Sequence, residues 1–219
     1  MKLEKASVEL EPLISRASEI HSNSKQIQNM TTYLNALFQT VTKEQEQFKK
    51  NHDSPLFFDC ICEAQKCEIQ ADSFIFLADQ DQSEKFQNSE TKYTTAIENL
   101  YKANSGNYER DGAEFSSTVL KDSNKLHSLL KEIIGTLYRK RSSSRYNQKK
   151  YDDSIDDARK AISCLEGDAD AVEKAEKVII QSLVDQKSKD AEKEIVLAKL
   201  FVKDVDFLDQ MLKKLQIEK

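Results

Sequence analysis

Apolar side chains recur at helical spacing near both ends of the chain. Leu10, Leu13, Ala17, Ile20, Ser24, Ile27, Thr31, Leu34, Phe38, Val41, Gln45 and Phe48 follow one another in steps of three and four, and nine of the twelve are apolar. Such steps keep one stripe turned to one neighbour, so the pattern predicts a long helix with a continuous seam, as in a coiled coil or a helical hairpin. Ser24, Thr31 and Gln45 interrupt the seam. They serve either as polar register markers or, around Ser22-Asn23-Ser24, as a helix break. The seam packs either on its own domain or on a second copy of the chain. The C-terminal stretch repeats the device: Ala198, Phe201, Val205, Leu208, Leu212 and Leu215 keep the same steps within one helix expected over 187–216.

Between these ends the pattern breaks into shorter helices. Asn51-His52-Asp53-Ser54-Pro55 is the sharpest interruption. Ser54 suits an N-cap, and Pro55 suits the first helical position, where its missing N–H costs nothing. This break divides the chain into a helical seam, 1–53, and a helical domain, 54–219. A helix is expected over 55–78, carried by Phe57, Phe58, Ile61, Cys62 and Ile69, and another over 82–103. Residues 104–112 hold two of the four glycines and predict the longest loop. Leu120, Leu126, Leu129, Leu130, Ile133, Ile134 and Leu137 then give a stripe to a helix expected over 113–146. A polar turn follows at 147–150, then a helix over 152–165 with Gly167 as its left-handed C′ residue. Asp168 caps the next helix, expected over 169–184.

Composition confirms the class. Four Gly and two Pro in 219 residues lie far below the usual shares of roughly 7% and 5%. So few turn formers cannot build many turns, and Glu, Lys, Gln, Leu and Ala favour helix. The expected fold is all-α: antiparallel helical hairpins flanked by long amphipathic N- and C-terminal helices. A net charge of −5 gives no electrostatic reason to bind nucleic acid. The chain contains no apolar run of about 18 residues that would span a membrane. The first ten residues carry Glu4 and Glu9 and have no apolar core of a secretion signal. A soluble, cytoplasmic protein is expected. In that compartment Cys60, Cys62, Cys67 and Cys164 are free thiols buried or half-buried on helices. The spacing of the first three, even with His52 nearby, lacks the second pair that a zinc site needs.

Two segments carry a family resemblance. In Leu137-Tyr138-Arg139-Lys140-Arg141-Ser142-Ser143-Ser144-Arg145 small residues sit in the middle of a helix. After a turn, Tyr151 opens a second helix with Ser154, Ala158 and Ala161 on one side. This stretch, about 137–166, resembles a tetratricopeptide repeat, in which small residues let two helices approach and a Tyr wedges their junction. A weaker match covers about 71–103, with Phe86, Tyr93, Ala96, Ile97, Tyr101 and Ala103. A third half-repeat is expected from the helix over 169–183 with its small residue at Ala191. The resemblance implies a binding module whose stacked hairpins present a groove to a peptide or helix. Some members clamp a carboxylate there with Lys, Arg and Asn. In this chain Lys140 and Lys85 fall where the clamp has Asn, so a standard clamp is not implied. The basic residues that would line such a groove, for an acidic peptide, are Arg139, Lys140, Lys174 and Lys177, with Ser143 beside them. About 40 residues separate the Tyr93 helix from Leu137, more than the 34-residue period of adjacent repeats allows, so an insertion lies between them.

A rival resemblance is that of Leu77-Ala78-Asp79 through Lys92-Tyr93-Thr94-Thr95-Ala96 to the microtubule-interacting and trafficking module, which binds amphipathic helices. It leaves Tyr151 to Ile162 unexplained. No catalytic pattern is present: there is no phosphate-binding Gly-rich loop and no Gly-x-Ser-x-Gly elbow. His21, His52 and His127 are scattered. The acidic pairs Asp152-Asp153 and Asp156-Asp157 read as a solvated helix face. The expected function is a non-catalytic adaptor or scaffold, without metal or cofactor, that binds a protein or peptide. The alternative is an assembly subunit that oligomerises through its terminal helices.

Overall fold

A computed structural model describes residues 56–76, 81–105, 123–200 and 202–217, with eight further residues between 32 and 46. Among these the regular structure is helical, without a strand, as the scarcity of turn formers requires. The helices are α1 (Leu56–Phe76), α2 (Gln82–Ser105), α3 (Ser123–Asn147), α4 (Tyr151–Cys164), α5 (Ala169–Asp185), α6 (Ala191–Ala198) and α7 (Val205–Ile217). From α1 to α5 each helix packs on the next, α3 also touches α5, and α5 carries both α6 and α7. The outcome is a row of helical hairpins, each resting on its neighbours in sequence. No described helix is long and apolar enough to cross a membrane.

One apolar core runs along the row. It includes Cys60, Ala64 and Cys67 of α1, Tyr93, Ala96 and Leu100 of α2, and Leu130, Ile134 and Leu137 of α3. It continues through Ile155 and Ala158 to Ile179, Ile180, Ile195 and Leu208. Each of the larger side chains gains about 1.5–3 kcal/mol by leaving water. The helices come close where their facing residues are small. Ser142, Ser154, Ala158 and Ala161 are all buried. The Ser142 hydroxyl donates to the Ser154 carbonyl at 2.8 Å, and Ser154 returns a bond to the Ser142 carbonyl at 2.9 Å. At Gly135 the approach is closer still. An added Cβ would stand 2.6 Å from Cys164 Cβ and 2.8 Å from Leu165 Cγ.

Local signals set the helix ends. Asp81 accepts from the Ser83 N–H at 2.7 Å, and Asp168 accepts from the Ala171 N–H at 3.0 Å, so both satisfy donors of a first turn. α3 closes with Lys150 N–H bonded to the Arg145 carbonyl and Lys149 N–H to Tyr146. α5 closes in the same way, Ser188 to Leu183 and Lys187 to Val184. Each is a Schellman motif. In both the left-handed residue is a lysine, Lys149 at φ 62° and Lys187 at φ 57°.

Two expectations are revised. Gly167 is not the left-handed C′ residue, because α4 ends at Cys164 with Leu165 as its C-cap. The single helix expected over 187–216 is two. Lys187 and Ser188 close α5 and delay the start of α6 to Ala191. Asp204 then opens α7 by accepting from the Phe207 N–H at 3.0 Å. The periodicity of Ala198, Val205 and Leu208 runs through a break that Asp204 marks. The start of the helix expected from 113 lies outside the described residues, which resume at Ser123.

Of the N-terminal seam, only Phe38 lies among the described residues, in a helical stretch. It packs on the Cys62–Ile69 cluster of α1, against which Phe76 also packs, so at that point the seam packs within the chain. The other eleven seam positions, the boundary at 53, Ser54, Pro55 and most of the loop at 104–112 lie outside the described residues. Cys60, Cys62 and Cys67 are buried and Cys164 is half-buried, all as free thiols.

Candidate functional site

Four cations crowd the second half of α3: Arg139, Lys140, Arg141 and Arg145. Successive helix residues turn by about 100°, so these cations point to different neighbours. Lys140 reaches α1, where its ammonium donates to Glu68 Oε1 and to Asp72 Oδ2, each at 2.7 Å. Burial works against the charged ammonium, but the two carboxylates outweigh it and raise its pKa. The other oxygen of Asp72 accepts from the Tyr93 hydroxyl. Burial, with Asp72 beside it, pushes that phenol far up.

Arg141 turns towards α4 and α2. Its Nε and Nη2 donate to the two oxygens of Asp157 at 2.7 and 2.8 Å, a bidentate pair, and Nη1 donates to Thr94 Oγ1 at 3.0 Å. Arg145 Nη1 lies 3.1 Å from Asp157, and its Nε donates to Glu90 at 2.8 Å. Gln148 and Lys150 also donate to Glu90. Burial raises the Glu90 pKa, but the donors from Lys150, Arg145 and Gln148 outweigh it and hold the carboxyl below its usual range. Charge-assisted pairs of this geometry, satisfied on both sides, lock the register of packed helices.

Arg139 is the exception on this helix. Its Nε is buried and has no hydrogen-bond partner among the described residues. Its direction follows from its neighbours. The Tyr146 hydroxyl donates to Asp185 of α5 at 2.7 Å, so that side of α3 faces α5. Arg139 lies seven residues earlier, two turns away on the same side. Ser143 lies midway in angle between Lys140, which faces α1, and Tyr146. Its hydroxyl donates to the Arg139 carbonyl at 3.3 Å. On α5, Lys174 lies eleven residues before Asp185, three turns away on the same stripe, and it is exposed.

The five expected site residues therefore divide. By helical spacing Arg139 falls on the stripe of α3 that faces α5, with Ser143 bordering it, and the exposed Lys174 falls on the stripe of α5 that carries Asp185. Lys140 is turned to α1. Lys177 is turned to the C-terminal unit, donating to Asp204 at 2.9 Å with its ammonium 5.5 Å from the centre of the Phe207 ring. Tyr151, expected as a wedge, is half-buried with its ring centre 6.0 Å from that of Tyr146.

One residue reverses its reading. Asp157 is not on a solvated face: it is fully buried between Arg141 and Arg145. The signal was present in its spacing, three residues after Ser154 and four before Ala161, on the small stripe of α4. Glu90 carried no comparable local signal.

A second buried polar atom without a partner is Glu176 Oε2 on α5. Burial, with Glu194 nearby and only partly offset by Arg159, raises this carboxyl to about 6. Among the described residues, no group of three or more His, Cys, Asp or Glu side chains is placed to hold a metal ion. Comparison with protein-family models, curated proteins and solved structures finds no match for the chain.

Proposed function

We propose that this chain is a non-catalytic, cytoplasmic protein-binding module of tetratricopeptide-like type, an adaptor or scaffold. Its partner is an acidic peptide or helix lying along the α3–α5 junction. The observation that carries this reading is the contrast on α3. Lys140, Arg141 and Arg145 each have carboxylates supplied by other helices, whereas Arg139, half-buried, has an Nε without a hydrogen-bond partner among the described residues. A guanidinium held at an interface without an anion is poised for a bidentate carboxylate from outside. Lys174 on the facing stripe supplies a second positive charge, and Ser143 a hydroxyl at the margin.

The test is titration of the protein with fluorescent acidic helical peptides and with their Glu→Gln and Asp→Asn counterparts. Binding is expected only to the acidic set and should weaken with salt. Arg139→Ala should weaken it at least tenfold, while Lys160→Ala, on α4, leaves it unchanged. Equal binding of both peptide sets, or no loss in Arg139→Ala, rules the reading out.

A second reading, assembly through the terminal helices, draws support from one place. Val196, Leu197, Leu200 and Val205 stand exposed around the α6–α7 connection, Leu200 by 83%. A mass measurement that stays monomeric across a hundredfold concentration range removes it.

A further inference from the structure

Glu176 sits where charge is expensive. It is nine-tenths buried on α5, and its Oε2 has no hydrogen-bond partner among the described residues. The charged groups acting on it are Glu194 from α6 and Arg159 from α4. α3 and α7, the other helices packed on α5, add none among the described residues. Arg159 is exposed, so its attraction is screened by water. Glu194 is a like charge on the helix that α5 must hold. α6 is only eight residues long and is held by three buried apolar side chains, Ala191, Ile195 and Ala198. Two are alanines, which offer little apolar area to offset a repulsion.

We infer that the α5–α6 contact is a proton-controlled joint, tight when Glu176 carries a proton and loosened when Glu176 and Glu194 are both ionised. Protonation removes the like-charge repulsion and the cost of a buried anion in one step. The sign follows from linkage. The folded carboxyl titrates near 6, and an unfolded glutamate near 4.3. Between these values the folded state holds the extra proton, so stability rises as pH falls and is lost as pH climbs through the folded value. The part that loosens is α6, with its exposed Val196 and Leu197 and with Leu200 just beyond it, so loosening also frees an apolar edge near neutral pH. This inference is independent of the acidic-peptide reading, which rests on the other side of α5.

Hydrogen exchange of the α6 amides, corrected for intrinsic rates, tests it on the full chain. The opening equilibrium should rise roughly tenfold between about pH 5 and pH 7.5, with α1 to α4 unaffected. Glu176→Gln should remain protected and flat across that range. An unchanged pH response in Glu176→Gln overturns the inference. Should that variant fail to fold, Glu194→Gln decides. Carboxyl carbon NMR should place the Glu176 midpoint near 6 in the wild type and lower in Glu194→Gln. An ordinary glutamate midpoint in the wild type, or no movement in the variant, also overturns it.

Discussion

The body from α1 to α4 and the unit from α5 to α7 differ in how their buried carboxylates are partnered. In the body, cations reach across helices to buried or half-buried carboxylates: Lys140 to Glu68 and Asp72, Arg141 to Asp157, Arg145 to Glu90. In the C-terminal unit the ion pairs range from the exposed Lys203–Asp170 to the half-buried Lys177–Glu173 and Lys214–Asp185, while the buried carboxylate Glu176 has an oxygen without a hydrogen-bond partner among the described residues. The body thus uses charge to fix which helix meets which. The unit also ties its helices by charge, Lys177 to Asp204 and Lys214 to Asp185, but it keeps one buried carboxylate, Glu176, with an oxygen that no described residue bonds. The two should answer acid in opposite ways. Glu90 is held below its usual range, so its contribution is present above the unfolded value and is lost as pH falls through the folded one. Glu176 is raised, and its contribution grows as pH falls.

The largest effect that would separate the regions is expected from Asp157→Ala. It leaves Arg141 without a carboxylate among the described residues and Arg145 with Glu90 as its remaining one, and losing one partner of such a buried pair costs about 3–5 kcal/mol. Urea unfolding measures it, and a loss below about 1 kcal/mol would mean that the polar seam does not hold the body. Tyr93→Ala comes next. Tyr93 is fully buried, and removing a buried aromatic costs about 3 kcal/mol or more. Tyr151→Ala, at a half-buried ring, should cost less than half as much. Equal losses would restore Tyr151 to the wedge role that the repeat resemblance gives it. Gly135→Ala sets two effects against each other: overpacking against Cys164 at about 1–3 kcal/mol and a gain of about 1 kcal/mol in helix propensity. A net destabilisation of about 1 kcal/mol is expected from the thermal midpoint. The smallest change is Lys203→Ala in the C-terminal unit. Both partners of that ion pair are largely exposed, so stability should move by less than about 0.5 kcal/mol.

Much of the fold was legible because helix periodicity and caps are local. The helices over 82–105, 151–164 and 169–185 fall within a residue or two of where spacing and Asp168 put them. The small stripe of Ser154, Ala158 and Ala161 marked a real helix contact. The C-terminal break was missed because a three-four pattern of apolar residues passed over Asp204, whose capping role shows only once the chain bends there. The charged residues were harder. Lys140 read as a free groove cation because its carboxylates lie 68 to 72 residues away in sequence. Lys177 has one partner, Asp204, 27 residues away, but another, Glu173, only four residues back, a local pair that the spacing could have shown. Asp157 read as solvated because its arginine partners stand on another helix. Pairing across helices is a tertiary fact, and composition carries no trace of it. The buried Arg139 Nε and Glu176 Oε2, unbonded among the described residues, show only once the helices are packed.

The two joints closed by Lys149 and Lys187 have a consequence for how such a chain can change. A left-handed residue with a side chain is strained by roughly 1 kcal/mol relative to glycine, and both joints carry that strain at surface positions. Each is therefore a place where one substitution to glycine recovers stability without touching the core. The array carries slack at its hinges, and damage elsewhere, in the groove face or along α6, can be compensated there. Sequences drifting from this one can vary their binding surfaces first and repair their stability afterwards.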